Sequence, residues 1–322
     1  PLLTPLLDNI QQQLLLNLRG ERLEVIATLK ASQILQLLNT YYYQSYLIST
    51  RDQIGLALTR FRAGNATASN WADVDSYFNS TFGTSQAIEA VGIFDLLGSL
   101  VYFTSVNETA RYEEQLFPSI VKNDVALSSV RKQNAYISGP LLNSYDSSYL
   151  MSMTFPVMGN TTIFINSAQL SGYISIVFKT GSIRSIINDT TGLDNHGMMY
   201  LLGAVNSTKY NQTIVQTLLP PTNANYLQYS TPPYDGVPVY NIAMRDQEPG
   251  SVINSYLFNR ESLSVGYALC KVFSSLWVVV ITEPHSTVYA PIYRLRNITL
   301  ISGVSVLAFC TLVIIICVHF GV

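Results

Sequence analysis

The chain has 322 residues, a formal net charge of −2, 12% charged and 48% hydrophobic residues. Soluble domains carry about 25% charged residues, and charge this sparse and evenly spread provides no basic face for nucleic acid. The length admits one large or two medium domains with real cores; of three cysteines, Cys310 and Cys317 fall in a C-terminal apolar run and Cys270 stands alone, so no internal disulfide staples the domain.

The apolar start, PLLTPLL, lacks a signal-peptide layout and predicts a further span upstream. From about residue 9 to 61 the sequence predicts one long helix. No proline occurs between Pro5 and Pro118, and apolar residues recur three to four apart at Leu15, Leu18, Val25 and Leu29, then at Ile34, Leu38, Tyr41 and Ile48. At 1.5 Å per residue such a helix reaches about 75 Å, more than one small domain covers. Pairing with a second copy through Leu15, Leu18, Val25 and Leu29 is the favoured reading; packing on the chain's own domains is the alternative. Tyr41, Tyr42 and Tyr43 spread around a helix and predict a mix of core and surface.

The character then changes. IEAVGIFDLLGSLVYFTS, residues 88–105, predicts a hairpin turning at Gly98. Further strands are predicted at 136–140, 148–158 and 169–179, followed by a short helix, GSIRSIINDTTG, closed by Gly192. A second set opens near residue 197, passes a proline-rich loop at 220–233, and returns as strands at 262–272 and 275–282, with Cys270 as a buried strand residue. Glu283 and Pro284 stop the last strand, and a helix runs through Tyr289 and Arg296 into the C-terminal run. The organisation is α+β: a long helix over 1–65, a distal module over 66–182, a proximal module over 183–290, and an exit helix with a transmembrane span over 291–322.

The segment Ile298–Val318, ITLISGVSVLAFCTLVIIICV, holds no Asp, Glu, Lys or Arg and matches the roughly 20 residues needed to cross a bilayer. Arg294 and Arg296 are placed to snorkel to the headgroups. A chain that stops so soon after its span predicts a fragment of a longer receptor. Sequons for N-glycosylation stand at Asn65, Asn79, Asn107, Asn160, Asn188, Asn206 and Asn211, with an eighth at Asn297 beside the membrane. That is about twice what chance supplies, and predicts an extracellular domain at the plasma membrane.

In their order, VGIFDLLGSLVYFTS, AYISGPLLNSYDSSYLMSMTFPV, LSGYISIVFKTGSIRSIIND and LWVVVITEPHSTVYAPIYRLRNITL resemble the double Cache receptors, whose sensor regions stack two PAS-like modules. The apolar incoming helix, GYISIVF followed by INDTTGL, the sequons and the exit span are similar to the fungal Sln-type osmosensing hybrid histidine kinases. The resemblance implies a homodimer with two spans per subunit. It also implies a cytoplasmic kinase and receiver that are absent here, with phosphorelay control of a MAP kinase osmotic-stress pathway as output. One departure matters: where amino-acid-binding Cache domains carry an Arg-x-Trp-Tyr type motif, this chain reads SSVRKQNAYIS, with Arg131 but no tryptophan, so the amino-acid clamp does not carry over.

Convergent catalytic groups are missing from the sequence. There are three histidines, no His-Glu-x-x-His, no Gly-x-Ser-x-Gly elbow and no phosphate or dinucleotide loop, so no cofactor and no metal are expected. Asp189, Asp194 and His196 form the best metal candidate, and a solvated loop explains them better. If a ligand pocket exists, the expectation puts it in the distal module, with Arg131 and Asp146 fixing a polar ligand near Tyr136 and Tyr145; a pocket sealed by its own salt bridge is the favoured alternative. Expected partners are a second copy, the lipid bilayer, and cell-wall components or another membrane protein. A ligand-gated receptor for a small osmolyte or nutrient and a non-kinase cell-surface glycoprotein stay open beside the osmosensor.

Overall fold

The structure, a computed structural model, describes residues 3–65, 67–107, 109, 111–112, 116–117, 130, 135–159, 169–193, 197–207, 212–219, 237–255, 263–272 and 275–320. The chain opens with helix α1 (Leu3–Ser49), then α2 (Asp52–Arg62), a short 3-10 turn (Ala68–Trp71) and α3 (Ala72–Thr84). Five strands follow: β1 (Ile88–Phe94), β2 (Leu100–Ser105), β3 (Tyr136–Leu142), β4 (Tyr149–Gly159) and β5 (Gln169–Lys179). After α4 (Gly181–Asn188) come β6 (Met198–Ser207), β7 (Gln212–Leu219), α5 (Val237–Asp246), β8 (Gly250–Ser255), β9 (Leu263–Val272) and β10 (Ser275–Pro284). Helix α6 (His285–Phe320) ends the chain.

The strands form two antiparallel sheets, ordered β2-β1-β5-β4-β3 and β7-β6-β10-β9-β8. The second order is the first repeated five strands later, so the fold is the same PAS/Cache-like unit used twice. The first hairpin turns at Gly98 in the left-handed region (φ 76°), with Asp95 Oδ1 accepting from the amides of Leu97 and Ser99 at 2.9 and 2.7 Å.

Helix α1 runs across both sheets, touching β8, β9 and β10 of the second and β4 of the first. Its core face is Leu16, Leu23, Ala27, Ala31, Ile34, Leu38, Tyr41 and Ile48, spaced three, four or seven apart along one stripe. Small residues set the approach: a Cβ built on Gly266 of β9 would lie 2.3 Å from the carbonyl carbon of Leu23. Beneath this stripe the first sheet presents Met151, Met153, Phe155, Ile174, Ile176 and Phe178, and the second presents Leu201, Ala268, Cys270, Val279 and Ile281. The outer face of the second sheet is closed by α5, where Val239, Tyr240 and Ala243 pack on Tyr200, Val265, Tyr267 and Val280.

Two sequence expectations need correction. The long helix is two: Thr50 and Arg51 break it, Arg51 being extended (φ −71°, ψ 127°). Helix α4 ends at Asn188, short of Gly192, whose left-handed φ of 87° serves the loop that follows. The second predicted stripe, Ile34, Leu38, Tyr41 and Ile48, is buried on the sheets, and the first faces outward. Leu15, Leu18, Val25 and Leu29 are 38%, 53%, 67% and 55% exposed.

Helix α6 continues from the last strand through the apolar run without interruption. Its stretch Asn297–Ile315 has a mean hydropathy of 2.5, and none of it is buried against the rest of the protein. Nineteen residues at 1.5 Å span about 28 Å, the thickness of the hydrocarbon layer.

Candidate functional site

The far face of the first sheet, turned away from α1, differs in chemistry from the near face. Register places Phe103, Gly92, Ser175, Thr154 and Tyr136 in one row across β2, β1, β5, β4 and β3. The next row is Ala90, Val177, Ser152 and Ser138. The middle of this face is therefore built from glycine, serine and threonine, which leave room above a pleated surface where valine or leucine would fill it.

Ser152, Thr154 and Ser175 on this floor are fully buried. The hydroxyls of Thr154 and Ser175 hydrogen-bond to each other, and the Ser152 hydroxyl has no hydrogen-bond partner among the described residues. A buried hydroxyl left unpaired costs about 1–3 kcal/mol, so this position invites a polar partner. Over the β1 and β2 side the floor is closed by aromatic rings: Phe117 sits on Gly92 and lies 5.7 Å from Phe103, 6.2 Å from Tyr112 and 6.4 Å from Phe94. Burial, with the nearby Glu89 carboxylate adding to it, pushes the Tyr112 hydroxyl up to about 12. Val130 packs on Phe94, Tyr173 and Tyr136 at the other end.

The residues expected to hold a ligand do not all meet here. Tyr136 is half-buried at this floor. Tyr145 and Asp146 lie in the β3–β4 turn, beyond the far end of β3, about 20 Å along the strand. Asp146 Oδ1 accepts from the Ser148 amide (3.0 Å), the Ser148 hydroxyl (2.7 Å) and the Asn143 amide group (2.8 Å). Partial burial raises its pKa, but these bonds outweigh that and the net shift is downward. The carboxylate is thus occupied in holding its own turn. Arg131 lies outside the described residues, as do Asp194 and His196. Asp189 is engaged by Lys30, as described next.

A second set of contacts, long-range and polar, ties α1 to the connection between the two sheets and to the end of the last strand. Lys30, buried on α1, donates to Asp189 Oδ2 at 2.6 Å, and Arg22 donates to the Gly192 carbonyl; both partners sit in the connection from α4 to β6. The Lys30 ammonium bonded to it, helped by the hydroxyl and amide of Thr191, holds the Asp189 carboxyl well below the usual carboxylate range. Nearer the membrane, Arg19 Nη1 donates at 3.2 Å to Glu283 Oε2. Glu283 is 0% exposed and stands in β10 two residues before α6 begins. No local pattern in the sequence announces these pairs, since their members are 159, 170 and 264 residues apart.

Comparison with known proteins agrees with the architecture. Over 316 residues, 95% of this chain, the sequence is 29% identical to the osmosensing histidine protein kinase SLN1 of Saccharomyces cerevisiae. This chain is homologous to a segment of SLN1. It spans 25% of that protein's length. No family model matches. Among solved structures, the periplasmic sensory domain of the Campylobacter jejuni chemoreceptor Tlp1 aligns with a TM-score of 0.56 at 13% identity, covering 86% of this chain and 99% of that one. The ligand-binding domain of the Pseudomonas aeruginosa amino acid chemoreceptor PctC, solved with GABA, aligns with a TM-score of 0.53 at 16% identity, over 82% of this chain and all of that one. At such identities the structural likeness establishes the fold.

Proposed function

We propose that this chain is the extracellular sensor of a plasma-membrane hybrid histidine kinase. It detects osmotic or turgor change and passes it through α6 to a cytoplasmic phosphorelay controlling a MAP kinase osmostress pathway. The similarity to SLN1 over nearly the whole chain carries this reading. The geometry supports it: α1 lies across both sheets, is clamped to the connection between them by Lys30 and Arg22, and holds the last strand through Arg19. The rigid continuation of that strand is the membrane helix itself. A stimulus acts on such a device only through a difference in its interaction with two arrangements, and tension or wall contact that tilts α1 against the second sheet provides one.

Two features extend the reading. The outward stripe Leu15, Leu18, Val25 and Leu29 on α1 is the face through which two copies pair. Asn65, Asn79, Asn107 and Asn188, all exposed, carry glycans on the extracellular side; Asn160 and Asn211 lie outside the described residues, and Asn206 is in β6. A ligand-gated variant of the same receptor is favoured by one observation, the buried Ser152 hydroxyl on the far face of the first sheet, which has no partner among the described residues. The test is a chimera in which this chain replaces the matching segment of yeast SLN1. Phosphotransfer that responds to hyperosmotic shift supports the osmosensor, whereas a chimera that reaches the membrane and never responds contradicts it.

A further inference from the structure

On the opposite side of the first sheet from the serine floor, an open groove of about 960 Å³ lies between the end of α1, α3, and the junction of β5 with α4. Among the described residues its lining contains Arg51 and Lys179 and no carboxylate. Lys179 is partly committed, holding Glu89 at 2.7 Å. The Arg51 guanidinium lies 5.4 Å over the Tyr77 ring, a cation–π contact that uses none of its N–H donors. The first turn of α4, Gly181 and Ser182, opens into the same groove. No side chain caps it: Thr180, at its N-cap, donates its hydroxyl to the Tyr149 carbonyl at 2.7 Å.

A second, independent feature points to a ligand. Tyr41 lines the groove, is 3% exposed, and its hydroxyl has no hydrogen-bond partner among the described residues. Its ring is fixed by stacking on Phe178 at 4.6 Å, so the hydroxyl does not swing away to water. Gln44 and the hydroxyls of α3 add neutral donors and acceptors, and Leu47 and Ile48 supply an apolar wall.

We propose that this groove binds a small organic anion, a carboxylate or phosphate ester with a polar body. Its charged end lies between Arg51, Lys179 and the free amides of α4, where charge-assisted bonds and the helix dipole reinforce one another. Its body is held by Tyr41 and Gln44. Because the groove joins α1 to α4, a bound anion fastens the long helix to the connection between the sheets, across the first sheet from any ligand on the serine floor. The site stands whether or not the stimulus is osmotic.

The experiment is titration calorimetry on the full chain in detergent, with citrate and glycerol phosphate as anionic probes and glycerol as the neutral one. Saturable binding of at least one anion, no binding of glycerol, and a loss of affinity of roughly tenfold or more in both Arg51→Gln and Lys179→Gln support the site. Arg62→Gln, an exposed cation outside the groove, leaves affinity unchanged, and near-ultraviolet circular dichroism establishes that the variants are folded. Failure of both anions to bind the wild type overturns the proposal, and so does binding that survives Arg51→Gln and Lys179→Gln.

Discussion

Replacing Gly266 by alanine tests how tightly α1 is seated on the second sheet. The added Cβ would lie 2.3 and 2.4 Å from the carbonyl carbon and oxygen of Leu23 and 2.7 Å from the Glu24 nitrogen. These are backbone atoms of a long helix, so no rotamer change relieves the clash. Carbon atoms in contact need about 3.5 Å, so α1 must retreat from β9 by about 1 Å. A gap of that size forfeits a quarter to a half of the dispersion energy across it, here along Leu23, Ala27 and Ala31. The expected cost is about 3 kcal/mol, which lowers the melting temperature of a chain this size by about 5 °C. Thermal unfolding of the full chain in detergent, followed by circular dichroism, reads it directly. Gly83→Ala is the control: it lies inside α3 with open space around it, and is expected to be neutral or to stabilise by up to about 1 kcal/mol. Equal melting temperatures for Gly266→Ala and wild type would refute the packing described for α1.

Other expectations concern charge, the thiol and association. Lys30→Met removes the buried partner of Asp189, whose folded pKa lies below its ordinary value of 3.8. That depressed carboxyl contributes stability present above the ordinary pKa and lost as pH falls through the folded one. The wild type therefore loses stability below about pH 4 and the variant loses less. With Asp189 nearly half exposed the difference is about 1 kcal/mol or less, and denaturant midpoints from pH 2 to 7 measure it. Burial raises the Cys270 thiol to about 12, so iodoacetamide at pH 8 should alkylate it only after unfolding; rapid labelling of the native chain would contradict its placement in β9. Leu18→Glu with Val25→Glu should shift the full chain from dimer to monomer in sedimentation velocity with little change in melting temperature, because both side chains are exposed in one copy. A dimer that persists would place the interface elsewhere.

The sheets were largely legible in the sequence, because their central strands are buried on both faces and read as continuous apolar runs, such as ISIVF in β5 and LWVVVIT in β10. The exit helix was legible for the same reason, length and unbroken apolarity. Helix α3 was not: ADVDSYFNSTFGT is rich in residues that favour turns and strands, and it buries only Val74 and Phe78. The C-terminal half of the α1 contact face was legible in Ile34, Leu38, Tyr41 and Ile48, whereas its N-terminal half was not, because there the face closest to the sheet is marked by Gly20, Ala27 and Ala31, small residues that allow close approach. The serine floor was not visible either. Ser152, Thr154 and Ser175 look unremarkable in the chain, and only strand register lines them up into one surface.

The central claim is that the signal leaves through α6 as a continuous helix. Ile292→Pro in the SLN1 chimera tests it most directly. A second proline directly after Pro291 forces that residue out of the helical region and breaks α6 between β10 and the span. The account predicts normal surface expression and a phosphotransfer output that no longer changes with osmolarity. An osmotic response equal to that of the unmodified chimera would contradict it.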